Sequence, residues 1–151
     1  MKYAHLVKLT VFSYQNEDDE NILDALIKLF PFDLKENKIL VKEKSTEGFN
    51  DSKIRIREIS ITKTNLVNQF LKNLLEKLNK EQKEKIIQQM ASRLDENLDF
   101  FVRFSKAEWI ENNKLILTDT GKCYHLKISV AAFPKKREIA LNLIKDLFEK
   151  L

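Results

Sequence analysis

The chain has 151 residues, of which 43% are hydrophobic and 33% charged, and its formal net charge at pH 7 is +4. Its two Gly and two Pro exclude collagen-like, linker-like and low-complexity proteins, because these need Gly, Pro or a depleted apolar content. Gly48 and Gly121 are too far apart for a P-loop or a dinucleotide-binding fingerprint. With one Cys and no long apolar run, we expect a single domain over residues 1–151, cytoplasmic and not associated with membranes.

The first third of the chain predicts a strand, a helix and two more strands. β-branched and aromatic residues over 5–14 predict the first strand, and Asn16 is the expected N-cap of a helix that ends before Pro31. The acidic residues that follow Asn16 are interpreted as stabilising the positive end of that helix rather than as metal ligands. Strands are expected at about 38–45 and 53–62.

Leucine and isoleucine spacing predicts two helices in the middle of the chain. The first begins at Thr62 or Thr64, and the second begins at the capping-box pair Asn79 and Gln82 and continues through Leu94. Stripes of this kind usually pack into the core of a protein. We therefore assign no function to either helix.

The last third predicts three strands, at about 99–105, 114–118 and 124–133, followed by a helix. Pro134 suits the first turn of that helix, whose apolar face runs to Leu151. The order β-α-β-β-α-α-β-β-β-α predicts an α+β fold with a mainly antiparallel sheet and helices packed on one face.

Cations alternate with apolar residues in several of these strands, and successive side chains of a strand point to opposite faces. One face should pack under the helices while the other displays Arg55, Arg57, Phe101, Arg103, His125 and Lys127, together with Lys8 if its strand keeps the same phase. Such a face suits RNA, because cations neutralise phosphates and aromatic rings stack on unpaired bases. The alternative is a solvated sheet face whose Lys and Arg residues serve solubility.

Two further basic elements extend this candidate RNA surface. Lys106 follows the 99–105 strand, and Lys135, Lys136 and Arg137 open the last helix. Three cations at a helix N-terminus are electrostatically unfavourable, which indicates a role beyond folding. We expect the strand cations and these four to contact phosphates and Phe101 to stack on a base.

Residues for catalysis or metal binding are few. Cys123 and His125 would share a strand face, but a single Cys-x-His pair is seldom a nucleophile and its base. Zinc needs three or four ligands, and the chain has one Cys and two His. We expect no catalytic residue, no metal and no cofactor, and an enzyme that uses Cys123 and His125 remains the third possibility.

The most specific family pattern runs from Arg93 to Glu108. It reads Arg93-Leu94-Asp95-Glu96 and continues, after an aromatic strand, as Arg103-Phe104-Ser105-Lys106-Ala107-Glu108. Over about residues 5–138 the chain resembles the archaeal family of predicted RNA-binding proteins described as exosome-associated subunits. Gly48 and Phe49 keep part of a loop typical of that family, whereas Asn50-Asp51-Ser52 departs from it.

This resemblance implies RNA binding in an archaeal cytoplasm, with a link to the exosome or to other RNA-processing proteins. It also implies a fold similar to that of the fifth protein of the large ribosomal subunit. The rival hypothesis is a protein-interaction or dimerisation module, a homodimer for example, whose basic face meets an acidic partner. Trp109 would be its anchor, because indole rings are common at interfaces.

Overall fold

The structure is a computed structural model that describes residues 1–48 and 52–150. Phe49 of the expected turn, and Leu151 of the expected last helix, lie outside the described residues. None of the described helices is long and apolar enough to cross a membrane.

Five strands form one antiparallel sheet in the described part of the chain, in the order β2-β3-β1-β5-β4. The strands are β1 (Ala4–Tyr14), β2 (Lys42–Glu47), β3 (Lys53–Ile61), β4 (Asp99–Ser105) and β5 (Cys123–Val130). The β2–β3 hairpin pairs Lys42 with Glu58 at one end and Glu47 with Lys53 at the other.

Six helices accompany the strands in the described residues. They are α1 (Asp19–Lys28), α2 (Thr64–Lys77), α3 (Lys80–Gln88), α4 (Met90–Arg93), α5 (Lys106–Asn112) and α6 (Arg137–Glu149). The predicted α+β class, with its mainly antiparallel sheet, is confirmed.

The chain divides into two compact units. Unit 1 comprises Met1–Val7, Ile61–Val102 and Lys127–Leu151, and unit 2 comprises Lys8–Ser60 and Arg103–Leu126. In unit 1, α6 packs on α3 and α4, and the Phe148 ring lies 6.0 Å from the Phe100 ring of β4. The single domain expected over 1–151 stays a prediction.

Unit 2 is built around α1 and α5, which contact each other. The buried Trp109 indole donates a hydrogen bond to the Ala25 carbonyl oxygen over 2.7 Å. The buried Tyr124 hydroxyl donates to the Ile22 carbonyl oxygen over 2.9 Å. Because α1 receives both bonds on its backbone, α5 and β5 are held against the same helix.

Several predicted helix boundaries are confirmed and others move. The capping box between Asn79 and Gln82 is present, and α2 begins at Thr64, although the N-cap residue is Lys63. The N-cap of α1 is Asp18, whose carboxylate accepts from the Asn21 amide, so the assignment to Asn16 was wrong.

Two other local expectations were wrong. The third helix was expected to continue through Leu94, but it ends at Gln88 and the short α4 follows. Residues 114–118 form a single bridge between Leu117 and Phe104 rather than a strand. The structure also contains a helix that was not expected. α5 begins directly after β4, because the Ser105 hydroxyl accepts from the Glu108 amide and caps the helix.

The last helix also starts later than expected. Residues 131–136 are not helical, and α6 begins at Arg137 with Lys136 as its N-cap residue. Pro134 therefore precedes the helix rather than occupying its first turn. β5 ends at Val130, three residues before the expected end of that strand.

Candidate nucleic-acid interface

The alternation of β3 places its arginines on the opposite face from the one expected. Ile59 and Ile61 are buried, and Arg57, two residues before Ile59, is only 4% exposed. Ile54 and Ile56 are half-buried on the other face. The expected display of Arg57 was wrong, because isoleucines occupy both faces of this strand and Arg57 is buried, whereas Arg55 remains exposed.

Arg57 is neutralised by a carboxylate from α1. Its guanidinium donates two hydrogen bonds to Asp19, one through Nη1 to Oδ1 and one through Nη2 to Oδ2 over 2.7 Å. The bond from Arg57 holds the pKa of the Asp19 carboxyl well below its usual range, and the same bond raises the pKa of Arg57. The buried Arg57 Nε has no hydrogen-bond partner in the part of the chain that the structure describes.

Arg55 joins the same group of charges. Its Nη1 lies 2.9 Å from Asp19 Oδ2. Glu43 Oε1 of β2 lies 3.9 Å from Arg55 Nε and 3.7 Å from Arg57 Nη2. We call Asp19, Glu43, Arg55 and Arg57 the acid-paired cluster. Its two cations are balanced by two anions, so it presents little net charge to a phosphate.

Lys106 is also neutralised, and its predicted exposure was wrong. The side chain is buried, and its Nζ donates to Glu17 Oε1 over 2.9 Å and to the Phe12 carbonyl oxygen over 2.7 Å. The same ammonium lies 5.3 Å from the centre of the Tyr14 ring. Lys106 is the first residue of α5, and its side chain contacts Glu17, just before α1, rather than solvent.

Lys127 in unit 1 has an acidic partner as well. Its Nζ lies 3.5 Å from Asp99 Oδ2, and the Ser129 hydroxyl donates to the other oxygen of the same carboxylate over 2.6 Å. Phe101, on the same face of β4 as Asp99, is half-buried. The surface around Lys127 therefore carries balanced charge.

Two of the predicted strand cations lack an acidic partner. Lys8 is half-buried and Arg103 is exposed, and neither forms an ion pair with any residue that the structure describes. Arg103 Nη1 donates to the Asp119 carbonyl oxygen over 3.3 Å, a contact that positions the guanidinium without cancelling its charge. Both residues lie in unit 2.

His125 is influenced by the charges of both Arg103 and Lys8. Burial lowers the pKa of its imidazole, and Arg103 and Lys8 lower it further. Both cations therefore disfavour the protonated form of His125. His125 was expected on this face of the sheet, and the half-buried side chain is found there.

A shallow depression of about 280 Å³ lies beside these groups. It is lined by Thr10, Phe12, Arg103, Gly121, Cys123 and His125. Phe12, which sequence reasoning missed, is 40% exposed and offers a ring next to the cations. The alternation of β1 could have indicated this exposure, because Phe12 lies between Val11 and Ser13, which are both buried on the other face. We call Lys8, Phe12, Arg103 and His125 the open-face patch.

Cys123 is not set up as a nucleophile. The thiol is buried, and burial raises its pKa even though Arg103 and Lys106 act in the opposite direction. A thiol is a weak nucleophile compared with its thiolate. The described residues also include no group of three or more His, Cys, Asp or Glu side chains able to hold a metal ion.

The basic residues Lys135, Lys136 and Arg137 at the start of α6 do not all have the same role. Arg137 donates to the carbonyl oxygens of Leu94, over 3.0 Å, and of Ala91. It thereby satisfies carbonyl groups at the C-terminal end of α4, which is a structural reason for a cation at this position. Lys135 and Lys136 are exposed, and their side chains make no hydrogen bond or ion pair with any described residue.

The family pattern between Arg93 and Glu108 is mostly structural. Arg93 donates to the Phe101 carbonyl oxygen and to Gln89, and Asp95 accepts from the amides of Asn97 and Asp99. With Lys106 bound to Glu17, Arg103 is the exposed cation of this pattern.

A family model described as RNA binding matches residues 6–130. The chain belongs to this RNA-binding family. It is 27% identical over 146 residues to RNA-binding protein PAB1135 of Pyrococcus abyssi, a match that covers 97% of this chain and 94% of that protein. The resemblance to an archaeal RNA-binding family is thereby confirmed.

Solved structures of relatives have the same fold. Protein AF2318 from Archaeglobus fulgidus, of the family DUF54, is 26% identical with a TM-score of 0.84, covering 95% of this chain and 99% of that one. The DUF54 protein Mth689 from Methanothermobacter thermautotrophicus, 24% identical, has a TM-score of 0.78 over 97% of this chain and 98% of that one. This second likeness shows the fold alone.

Proposed function

We propose that this protein is a non-catalytic RNA-binding protein whose open-face patch contacts the RNA backbone. Lys8 and Arg103 would each contact a phosphate, with His125 beside them and the Phe12 ring available to stack on a base. The observation that carries the proposal is that Lys8 and Arg103 lack an acidic partner among the described residues, whereas Arg57, Lys106 and Lys127 each have one.

The physical reason is the source of affinity for nucleic acid. Binding is driven largely by cations that replace counterions condensed on the phosphates. A cation already paired with a carboxylate gains little from a phosphate, because the carboxylate must first be displaced or remain as a repelling neighbour. Lys8 and Arg103 carry no such cost. The exposed Lys135 and Lys136 meet the same condition in unit 1.

The test is RNA binding by the Lys8→Ala, Arg103→Ala double variant, measured by fluorescence anisotropy with a labelled stem–loop RNA in 50 to 200 mM KCl. Each lost phosphate contact lowers the slope of log K against log salt concentration by about 0.7 to 0.9. The affinity at 0.1 M salt should fall by roughly 25-fold, as expected for two phosphate contacts that each lower the salt slope by about 0.7.

The control is the Lys44→Ala, Arg55→Ala double variant, which removes the same charge from exposed cations that pair with Glu58, Asp19 and Glu43. It should keep the wild-type slope. Circular dichroism and thermal unfolding would verify that both variants are folded. A wild-type slope in the Lys8→Ala, Arg103→Ala variant would reject the open-face patch as the binding surface.

The rival function, a protein-interaction or dimerisation module, loses its expected anchor. Trp109 is 4% exposed, and its indole N–H is bound to the Ala25 carbonyl oxygen. Light scattering with and without RNA would distinguish the two functions. A salt-insensitive oligomer without RNA affinity would favour the rival.

The family resemblance suggests the cellular setting that we propose. The protein would act in an archaeal cytoplasm, in RNA processing or decay, and the exosome or another RNA-processing assembly would be its partner. We also propose that the fold is similar to that of the fifth protein of the large ribosomal subunit. Co-purification of exosome subunits with the tagged protein, in an RNase-resistant complex, would test the association.

A further inference from the structure

The segment between β5 and α6 presents an aromatic ring to solvent. Phe133 is 95% exposed, more than any other large hydrophobic residue in the described part of the chain. Its neighbour Ala132 is buried, so the start of the segment is packed within unit 1. The open-face patch does not include this ring.

Hydrogen bonds hold the backbone on both sides of Phe133. The Ala131 amide donates to the Tyr3 carbonyl oxygen over 2.8 Å, and the Lys136 amide donates to the Pro134 carbonyl oxygen over 2.8 Å. Arg137, with its bonds to the carbonyl oxygens of Leu94 and Ala91, attaches the end of the segment to α4. The ring is therefore presented from a tethered loop.

Two cations accompany the ring. Lys135 and Lys136 are exposed, and their side chains have no hydrogen-bond or ion-pair partner among the described residues. Glu138, the nearest acid in sequence, is also exposed but forms no ion pair with either lysine. A ring and two un-neutralised charges thus lie within four consecutive residues. We call residues 133–136 the Phe133 loop.

We propose that the Phe133 loop binds an unpaired stretch of RNA, with the ring stacked on one base and the lysines on the flanking phosphates. This inference rests on the proposed RNA-binding function and adds a second contact, in unit 1. An unpaired strand offers both a flat apolar base and a negative backbone at the spacing of one nucleotide, which matches a ring beside two cations. A fully paired helix keeps its bases stacked inside, so it offers the ring no base.

The experiment measures binding of a labelled single-stranded RNA and of the same RNA annealed to its complement. Phe133→Ala should weaken single-strand binding by about tenfold, within the range measured for base–aromatic stacking, and leave duplex binding unchanged. Phe133→Trp should restore single-strand binding because it keeps a flat ring. The Lys135→Ala, Lys136→Ala variant should lower the salt slope by about 1.4.

Leu40→Ala is the matched control, because Leu40 is another highly exposed apolar side chain, at 78%, and it lies in unit 2. It should bind both RNAs like the wild type. Wild-type single-strand affinity in Phe133→Ala, with weakened binding in the Lys8→Ala, Arg103→Ala variant, would overturn this inference and leave the proposed function standing. A wild-type protein that binds neither RNA would overturn both.

A third outcome identifies a protein partner instead. If Phe133→Ala removed self-association detected by light scattering and left RNA affinity intact, the loop would be a protein contact, and the inference would be overturned. The Phe133→Ala variant should fold like the wild type, because truncating an exposed ring leaves no cavity.

Discussion

Unit 2 contains two groups of cations that look alike in the sequence and differ in charge balance. In the acid-paired cluster, Arg55 and Arg57 share Asp19 and Glu43. In the open-face patch, Lys8 and Arg103 have no ion-pair partner in the described residues, and they add to burial in lowering the pKa of His125. The comparison teaches that the number of cations on a strand does not measure the charge available to a phosphate.

Burial explains the difference between Arg57 and Arg103. Arg57 is buried on the face of β3 that carries Ile59, and a buried charge requires a partner. Arg103 lies in solvent, where water solvates its charge and no carboxylate is needed. Folding therefore neutralises the buried Arg57, while the exposed Arg103 keeps its charge available for binding.

The largest effect that separates the two groups should be on stability. Arg57→Ala leaves the Asp19 carboxylate without its main partner, and breaking a buried ion pair costs about 3 kcal/mol or more. Arg55→Ala, whose side chain is 54% exposed, should cost about 1 kcal/mol or less. Urea denaturation measures both. A folded Arg57→Ala protein of wild-type stability that lost RNA affinity would break the comparison.

A second test concerns Lys106, which the family pattern contains and the fold buries. Lys106→Ala should cost about 2 kcal/mol, because hydrogen bonds to charged groups contribute roughly 1.5 to 3 kcal/mol. Its RNA salt slope should equal that of the wild type. Glu17→Gln, which keeps the shape of the partner, should be milder in denaturation. A lower slope in Lys106→Ala alone would move Lys106 into the binding surface.

A third test uses acid. The pKa of Asp19 lies well below its usual value in the folded protein, so as pH falls below about 4 the unfolded chain takes up a proton before the folded protein does. The contribution of Asp19 to stability is thus complete above that pH and is lost as pH falls, by at most about 1.4 kcal/mol per pH unit. Asp19→Asn should be less stable than the wild type at pH 7, and the difference should shrink at pH 2.5 in urea denaturation.

The smallest effect sharpens the description of the open-face patch. Because Arg103 and Lys8 add to burial in lowering the pKa of His125, a bound phosphate should raise it, and RNA binding should take up a proton. Affinity should therefore increase as pH falls from 7.5 to 5.5, by less than about tenfold per pH unit for one proton. His125→Gln should have a flatter anisotropy profile over that range. Identical profiles would place the phosphate away from His125.

Much of the fold could be predicted from local patterns. The β4 range and the capping box at Asn79 were correct because alternation and capping involve residues within a few positions of each other. The same kind of signal was present and overlooked for α5, where Ser105 and Glu108 have the spacing of a capping box. The strand expected at 114–118 was wrong because a short apolar run does not by itself establish pairing with a partner strand.

The candidate site was harder to predict. Arg103 is exposed and Lys8 is half-buried, whereas Arg57 and Lys106, which were also expected to contact phosphates, are buried. Isoleucines on both faces of β3 concealed its alternation. The acids that neutralise Arg57 and Lys106 lie 38 and 89 positions away along the chain, beyond the reach of any periodicity.

By itself, then, the sequence determined the α+β class, most of the strands and the excess of positive charge, since these depend on composition and on neighbours a few residues apart. Tertiary structure alone decided which cations keep their charge for a partner. It did so because ion pairing falls off within a few ångströms, and only folding brings Asp19 to Arg57 and Glu17 to Lys106 while leaving Lys8, Arg103 and the lysines beside Phe133 without a carboxylate partner among the described residues.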